Sequence, residues 1–280
     1  MAEDFFESLA DGMKRDAETH PGQTVDPEVL KEFMTDRRPA APWTPDSVPA
    51  PAARTIPPPP IPRPVPRPVP FQPGSAGGGA VHSRIAPAPA SLNVASLEEL
   101  QPIVLDCQCC PLAKTRHHVV FGEGAPHAKL MFIGEGPGYD EDMQGRPFVG
   151  KAGKLLDKMI AAMQFKREEV YIGNVVKCRP PGNRVPSPDE AAACIGYLRR
   201  QIELIHPEVI VLLGATAVNF LLGRREGITR LRGKWLSYNG IPVMPTFHPA
   251  YLLRQPSGKR EAWADLQTVM KVFGKVYQKP

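Results

Sequence analysis

Four cysteines at fixed separations are the residues of this chain best suited to binding a metal or a cluster. Cys107 and Cys110 form a C-x2-C pair followed by a proline, and Cys178 and Cys194 form a C-x15-C pair. A zinc ribbon uses two close pairs, whereas an iron–sulfur cluster accepts irregular spacing and a proline after a ligand. The spacing favours a cluster over zinc, leaves both open, and makes four free thiols the weakest alternative. Cys109, inside the first pair, is predicted to bind nothing.

Polar residues follow three of the predicted strands. The loop Gly134–Gly138 follows a buried strand at Lys129–Ile133, Asn174 ends a second strand, and His248 follows the last one. In an open α/β sheet, ligands bind in the crevice at the carboxyl ends of the strands. Glu135, Asn174 and His248 are therefore predicted to meet in one cleft, although they are far apart in sequence.

The glycine-rich loop indicates which kind of ligand this cleft accepts. It matches neither the P-loop pattern nor the dinucleotide pattern, which argues against a nucleotide-binding oxidoreductase. The acidic run at 140–142 disfavours phosphate, so a flat, neutral ligand fits better. Phe148, in a predicted loop between glycines, is either a core anchor or a ring that stacks on a base. The Asn174 amide offers a donor and an acceptor side by side, as a pyrimidine edge requires, or else satisfies nearby backbone.

The segment from His248 to Arg254 combines a constrained histidine with apolar and basic residues. His248 precedes a proline, which holds the histidine in an extended conformation. Leu252 and Leu253, beside Arg254, have the character of an apolar wedge with a phosphate anchor, as in proteins that insert side chains between bases. The alternative is that the segment forms the first turn of a buried helix.

The charge of the chain mildly favours a polyanionic partner, because the formal net charge is +5. Lys177 and Arg179 flank Cys178, where their charges either offset thiolates or contact phosphates. No apolar run reaches the length of a membrane span, and the first residues lack the pattern of a signal peptide. We therefore expect a cytoplasmic protein, in which reduced cysteines favour a metal site over disulfides.

The composition divides the chain into three parts. Residues 1–37 hold two short helical candidates, and 38–92 form a Pro-rich linker with 17 of the 34 prolines between Pro39 and Pro89. This linker is predicted to be a disordered tether, although the tail as a whole is also a candidate docking segment for a protein partner. In 93–280, strands alternate with helices, which predicts a three-layer α/β/α fold around a mainly parallel, four-stranded sheet.

Taken together, these segments resemble the family 4 uracil-DNA glycosylases, the bacterial and archaeal type that carries an iron–sulfur cluster. The resemblance covers about the last 60% of the chain and leaves the Pro-rich tail without a counterpart. It is carried by Cys194 and by five ordered motifs, at Cys107–Arg116, Gly134–Asp142, Gly145–Gly150, Asn174–Arg184 and His248–Arg254.

The resemblance implies a uracil-DNA glycosylase fold and a 4Fe–4S cluster held by Cys107, Cys110, Cys178 and Cys194. It implies a monomeric hydrolase that removes uracil from DNA by cleaving the N-glycosidic bond of a flipped-out deoxyuridine, the first step of base excision repair. The alternative is a non-catalytic iron–sulfur module that only binds nucleic acid.

The resemblance also implies roles for single residues. Phe148 would stack on the uracil ring, Asn174 would read its edge, and His248 would stabilise the charge that develops on its O2 atom. Glu135 is the residue nearest in pattern to position the attacking water, because Gly136 stands where the better-known family 1 enzymes have an aspartate. Other pocket and DNA contacts are expected from Gly138, Glu141, Lys177, Arg179, Leu252, Leu253 and Arg254.

Overall fold

The structure is a computed structural model that describes residues 92–275. The predictions for 1–37, and for all but the last residue of 38–92, lie outside the described residues. Within 92–275, no helix is both long enough and apolar enough to cross a membrane.

A mixed sheet of six strands forms the centre of the described part. Its strands are β1 (Glu123–Gly124), β2 (Leu130–Gly134), β3 (Tyr171–Asn174), β4 (Val209–Leu213), β5 (Leu236–Tyr238) and β6 (Ile241–Thr246). Their spatial order is β1-β3-β2-β4-β6-β5, with the four inner strands parallel and each edge strand antiparallel to its neighbour. The predicted α/β fold is confirmed, and the predicted four-stranded sheet is extended by two short antiparallel edges.

Eight α-helices connect and cover these strands in the described range. They are α1 (Leu97–Leu105), α2 (Tyr139–Gln144), α3 (Lys151–Ala162), α4 (Pro188–Ile205), α5 (Ala215–Leu222), α6 (Ile228–Leu231), α7 (Pro249–Arg254) and α8 (Lys259–Val272). Short 3-10 turns occur at Pro111–Lys114, Arg167–Glu169, Pro181–Asn183 and Pro256–Gly258.

The longest helix, α4, shows how local sequence sets these boundaries. Ser187 caps its first turn by accepting a hydrogen bond from the Glu190 amide, and the Glu190 carboxylate accepts one from the Ser187 amide in return. Pro188 occupies the first helical position, where a missing N–H costs nothing. The helix ends at Ile205 and is followed by His206, whose backbone is left-handed. This placement fixes Cys194 on the buried face of α4.

The core lies in two layers, one on each face of the sheet. Leu130 and Phe132 of β2 face a cluster that includes side chains of α3 and α8. Met131 and Ile133 face the opposite cluster, which includes side chains of α1, α4 and α5. Because side chains alternate along a strand, a sheet buried on both faces requires continuous apolar strands, as β2 and β4 have. The three-layer arrangement follows from that pattern.

The parallel register brings the carboxyl ends of the inner strands to one edge. Gly134 at the end of β2 is aligned with Asn174 at the end of β3, and Leu213 of β4 is aligned with Thr246 of β6. The loops that follow these four strands therefore begin side by side.

Candidate active site

A cavity of about 620 Å³ opens at this edge of the sheet. The loops after all four parallel strands line it, and Glu135, Asn174 and His248 are among its lining residues. The structure thus places in one cavity the three residues that strand order predicted to meet. Phe148 and Arg254 line the same cavity.

The absence of a side chain at Gly134 brings two functional candidates together. A Cβ atom at this position would lie 2.6 Å from Asn174 Oδ1 and 2.6 Å from Phe148 Cζ. Contacts below 3.0 Å essentially never occur for real Cβ atoms, so any side chain at Gly134 would displace the amide or the ring. The amide of Asn174 and the ring of Phe148 therefore pack over the end of β2 and share one wall of the cavity.

Phe148 is a buried ring held in an unusual backbone conformation. Its φ is 51°, a value that bulky residues rarely adopt, and only 5% of the residue is exposed. The guanidinium of Arg167 donates to the carbonyls of Pro147 (2.6 Å) and Phe148 (3.3 Å) and so holds the strained turn. The Phe148 and His248 ring centroids are 5.7 Å apart. Arg167 lies outside every motif, so the sequence offered no signal for this supporting role.

Asn174 lines the cavity and has an unsatisfied acceptor among residues 92–275. Its Oδ1 atom is buried and has no hydrogen-bond partner within residues 92–275. The two other such side-chain atoms in that range, Arg200 Nε and Asn219 Oδ1, belong to residues that do not line the cavity. Buried polar atoms are nearly always paired, so an orphan acceptor in a cavity wall indicates a ligand with an N–H or O–H group.

His248 is neutral and carries its proton on a defined nitrogen. Its Nδ1 accepts a hydrogen bond of 3.1 Å from the Ala250 amide, so the proton of the neutral ring lies on Nε2. Burial, together with the charge of Arg254, lowers the pKa of His248 to about 4. Although part of the ring faces the cavity, the surrounding protein excludes most solvent. The site therefore offers an uncharged N–H donor.

Two of the acidic residues after β2, Glu135 and Glu141, have different roles in the cavity wall. Glu135 lines the cavity and is half-buried. Glu141 also lines it, but its carboxylate accepts from the amides of Gly138 (3.1 Å), Val149 (2.9 Å) and Gly150 (2.9 Å). Glu141 thereby ties the glycine-rich loop to the loop that carries Phe148.

The two predicted loop glycines, Gly136 and Gly138, both line the cavity. A Cβ atom at Gly136 would lie 2.6 Å from Cγ2 of Val176, so this position is closed to any side chain unless Val176 moves. The Gly138 amide is the one that binds Glu141. Both glycines therefore shape the wall rather than supply reactive groups.

Lys177 corrects one predicted DNA contact. Only 1% of the residue is exposed, and its Nζ donates to Gln201 Oε1 (2.6 Å) and to the backbone carbonyl of Asn174 (2.9 Å). Burial lowers the pKa of Lys177 to about 8, while Cys194 and Cys178 oppose that shift. A side chain enclosed in this way cannot contact a phosphate, and the prediction that Lys177 binds DNA is wrong.

Helix α7 corrects a second predicted contact. Leu252 is fully buried in the core, whereas Leu253 is 36% exposed. The buried-helix alternative therefore holds for Leu252, and only Leu253 remains available as a wedge. Arg254, which ends α7, is exposed and lines the cavity.

The five cysteines line a second, smaller cavity together with Arg116, Lys177 and Tyr197. Arg116 Nη1 donates to the Cys107 carbonyl (2.8 Å) and to Cys178 Sγ (3.3 Å), and the Lys177 amide donates to Cys194 Sγ (3.3 Å). Burial raises the pKa of the Cys178 thiol to about 11 and that of Cys194 to about 12. Within residues 92–275, no group of three or more His, Cys, Asp or Glu side chains is placed to bind a single metal ion.

Comparison with known proteins agrees with this geometry. The family model of the uracil DNA glycosylase superfamily matches residues 121–267. A type-4 uracil-DNA glycosylase of Thermotoga maritima is 52% identical over 170 residues, which are 58% of this chain and 88% of the relative. The type-4 enzymes of Archaeoglobus fulgidus and Sulfurisphaera tokodaii are 41% and 43% identical, over 64% and 63% of this chain and 94% and 84% of their own lengths.

The family match covers the residues that form the sheet and the cavity. The chain belongs to the uracil DNA glycosylase superfamily and, within it, to the type-4 family.

Proposed function

We propose that this protein is a uracil-DNA glycosylase, which hydrolyses the N-glycosidic bond of a deoxyuridine flipped out of DNA and leaves an abasic site. The type-4 relatives carry this activity in their names. The observation that carries the proposal is the unpaired, buried Oδ1 of Asn174 in a cavity that also holds the Phe148 ring and the neutral His248 donor. Together they match the N3–H group, the flat face and the carbonyl oxygens of uracil.

Recognition follows from the pattern of donors and acceptors on the base. The N3–H of uracil would donate to Asn174 Oδ1, and the side-chain amide would donate to O4. Cytosine has an unprotonated N3 and an amino group in place of O4. Its N3 acceptor would face the Oδ1 acceptor of Asn174, and its amino donor would face the amide donor. A site built to bind a particular hydrogen-bonding edge rejects a base that leaves its polar groups unpaired.

Catalysis would rest on the neutral imidazole of His248. As the glycosidic bond breaks, positive charge develops on the sugar and negative charge on uracil O2. The Nε2–H of His248 is the donor available to that oxygen, because Nδ1 is occupied by the Ala250 amide. Glu135 lines the same cavity and would position the attacking water and stabilise the sugar cation. Uracil and an abasic site are the products.

We further propose that Cys107, Cys110, Cys178 and Cys194 hold a 4Fe–4S cluster. Each of the four irons takes one thiolate, so the sulfurs need not converge on a single point. N–H donors from Arg116 and Lys177 already face two of the sulfurs and would stabilise thiolates. A metal-bound thiol is deprotonated, so the bound cluster would overcome the raised pKa values of the buried thiols. Since hydrolysis transfers no electrons, the bound cluster would serve to join the loops around it.

The remaining features of the proposal concern the whole chain. Residues 93–280 are proposed as the catalytic domain, acting as a monomer in the cytoplasm on uracil-containing DNA in base excision repair. The segments 1–37 and 38–92 are proposed to tether that domain or bind a protein partner. Removal of residues 1–90 is expected to leave excision from short oligonucleotides nearly unchanged.

One assay tests the proposal directly. Full-length protein is incubated with a single-stranded oligonucleotide that carries one uracil, and abasic sites are then cleaved with alkali. We expect cleavage at the uracil and release of the free base, with no cleavage of matched oligonucleotides that carry cytosine or thymine. Tight binding without cleavage would instead support the non-catalytic module.

A further inference from the structure

Tyr139 and Arg179 form a pair beside the cavity that the proposed chemistry does not use, with Tyr139 exposed and Arg179 half-buried. Tyr139 begins α2, lines the cavity and is 55% exposed. The guanidinium carbon of Arg179 lies 5.1 Å from the centroid of the Tyr139 ring. We call these two residues the Tyr139–Arg179 shelf. A large aromatic ring with this exposure at the rim of a cavity marks a surface suited to a partner with flat groups.

The shelf is held in place from both sides. Arg179 Nε donates a hydrogen bond of 2.7 Å to Asn183 Oδ1, and Arg179 directly follows Cys178 in a loop fixed by buried residues. Tyr139 directly follows Gly138, whose amide is bound by the Glu141 carboxylate. Neither side chain has to be ordered from a flexible segment when a partner binds, which lowers the entropic cost of binding.

Within the part of the chain that the structure describes, the charge of Arg179 is uncompensated. Among residues 92–275 its partners are the Asn183 amide oxygen and the Tyr139 ring, and no carboxylate pairs with it. By contrast, the neighbouring Arg184 binds both oxygens of Glu190, at 2.7 and 2.8 Å. The free N–H groups of Arg179 are therefore available to an anion such as a phosphate.

The shelf and α7 belong to loops on different sides of the cavity. Tyr139 follows β2 and Arg179 follows β3, whereas α7 follows β6, and β4 lies between β2 and β6. Leu253 and Arg254 of α7 supply an exposed apolar side chain and a second arginine. A nucleic-acid strand whose target base enters the cavity would thus meet the shelf on one side of the cavity. On the other side it would meet Leu253 and Arg254.

We propose that the Tyr139–Arg179 shelf binds the nucleotide next to the target in the same DNA strand, with its base packed against the Tyr139 ring and its phosphate on Arg179. The inference rests on the proposed function, because it assumes that a deoxyuridine occupies the cavity. In this arrangement, the shelf contributes affinity for single-stranded DNA in addition to the affinity that comes from the extruded base.

A binding experiment that combines changes in the protein with changes in the DNA tests this contact. The ligand is a single-stranded oligonucleotide with 2′-fluoro-deoxyuridine, whose fluorine disfavours charge on the sugar and slows cleavage. Two further oligonucleotides replace the base on the 5′ or the 3′ side of the target by an abasic spacer. We expect one spacer to weaken binding to the full-length protein about 5- to 100-fold, the range of one base–aromatic stack.

The variant Tyr139→Ala is expected to bind the intact oligonucleotide more weakly by a similar factor and to be insensitive to that spacer. Tyr139→Phe should retain wild-type affinity and sensitivity. The matched control is Met143→Ala, because Met143 is an exposed apolar residue on α2 that does not line the cavity. If Tyr139→Ala does not fold, Tyr139→Leu removes the ring while keeping apolar bulk and is expected to behave as described for alanine.

The result that overturns the inference is Tyr139→Ala binding with wild-type affinity, or losing the same factor as wild type with each spacer. The uracil excision assay separates this failure from failure of the proposed function. If uracil is excised but the effect of the spacers does not depend on Tyr139, only the proposed role of the shelf is refuted. Absence of both excision and preference for uracil-containing DNA would refute the function on which it rests.

Discussion

The buried Nζ of Lys177 donates a hydrogen bond of 2.9 Å to the backbone carbonyl of Asn174. The amide of the same lysine donates to Cys194 Sγ, so one residue joins the end of β3 to the cysteine cavity. The residue proposed to read the base and the cysteines proposed to hold the cluster are therefore mechanically linked.

Replacing Lys177 by methionine tests this link. The substitution leaves the Asn174 carbonyl and Gln201 Oε1 buried without a donor, which is expected to lower the free energy of unfolding by about 1–3 kcal/mol. We also expect a lower ratio of kcat/KM for uracil over cytosine, because Asn174 loses its support. The control is Lys129→Met, which breaks only a surface ion pair with Glu208. Wild-type stability and selectivity in Lys177→Met would refute the link.

Asn174→Asp should reduce the second-order rate constant for uracil excision by about 10- to 100-fold, because a carboxylate lacks the amide donor and buries a charge. Discrimination against cytosine is expected to fall with it. Single-turnover excision from matched uracil and cytosine oligonucleotides measures both effects. Asn219→Asp is the control, since Asn219 also has an unpaired, buried Oδ1 but lies outside the cavity. Equal excision rates and equal discrimination in the two variants would show that Asn174 does not take part in base recognition.

Stability is predicted to depend on the protonation of His248. The pKa of this residue is about 4 in the folded protein and 6.5 for an ordinary histidine. Between these values the unfolded chain binds the extra proton, so the free energy of unfolding increases as pH rises from 4 to 6.5. This residue is expected to contribute about 3 kcal/mol over that interval. Denaturant unfolding at several pH values measures the slope.

The His248→Gln variant isolates this contribution from that of the carboxylates. We expect the variant to lose excision by orders of magnitude and to show a shallower increase of stability between pH 4 and 6.5. A slope identical to that of wild type would show that His248 titrates normally.

The two leucines of α7 are expected to respond in opposite ways. Leu252→Ala creates a core cavity and should destabilise the protein by about 2–5 kcal/mol. Leu253→Ala should change stability by less than about 0.5 kcal/mol and lower excision from duplex DNA more than from single strands, because only a duplex leaves a gap to fill. Unfolding curves and parallel assays on both substrates distinguish the two. A normal duplex rate in Leu253→Ala would argue against the wedge.

The cluster is tested by iron content and visible absorption. Wild-type protein is expected to be brown and to contain about four irons per chain. Serine at Cys107, Cys110, Cys178 or Cys194 should reduce both signals, whereas Cys109→Ser should leave them unchanged. Colourless protein that contains zinc would contradict the cluster.

The sequence could predict the convergence of Glu135, Asn174 and His248 because parallel strands place their carboxyl ends together. It could not predict whether Lys177 or Leu252 reaches solvent. Lys177 is enclosed by Gln201 of α4, and Leu252 points into a core built by other helices, so their exposure depends on packing between distant segments. The strand β1 has two residues, too few to show an alternating pattern.

The supporting residues were equally hard to find. Arg167 acts through backbone carbonyls, which any residue type provides, and so leaves no pattern at the positions that it contacts. Glu141 lies in the glycine-rich motif and lines the cavity, but the motif gave no sign that its carboxylate binds three amides. A sequence motif can indicate which part of the fold a side chain such as that of Glu141 lies in, but it does not indicate which atoms the side chain contacts.

The left-handed turn at Phe148 has a consequence for how the pocket meets its base. Arg167 fixes the backbone of this turn and the ring is buried, so the conformational entropy of Phe148 is lost during folding and not at the moment of binding. A preorganised aromatic wall of this kind selects flat ligands by shape. It can stack on the ring of uracil and on that of thymine equally well. Uracil and thymine have the same polar edge and differ only by the C5 methyl group, so the choice between them depends on whether the wall of the cavity leaves room for that methyl group.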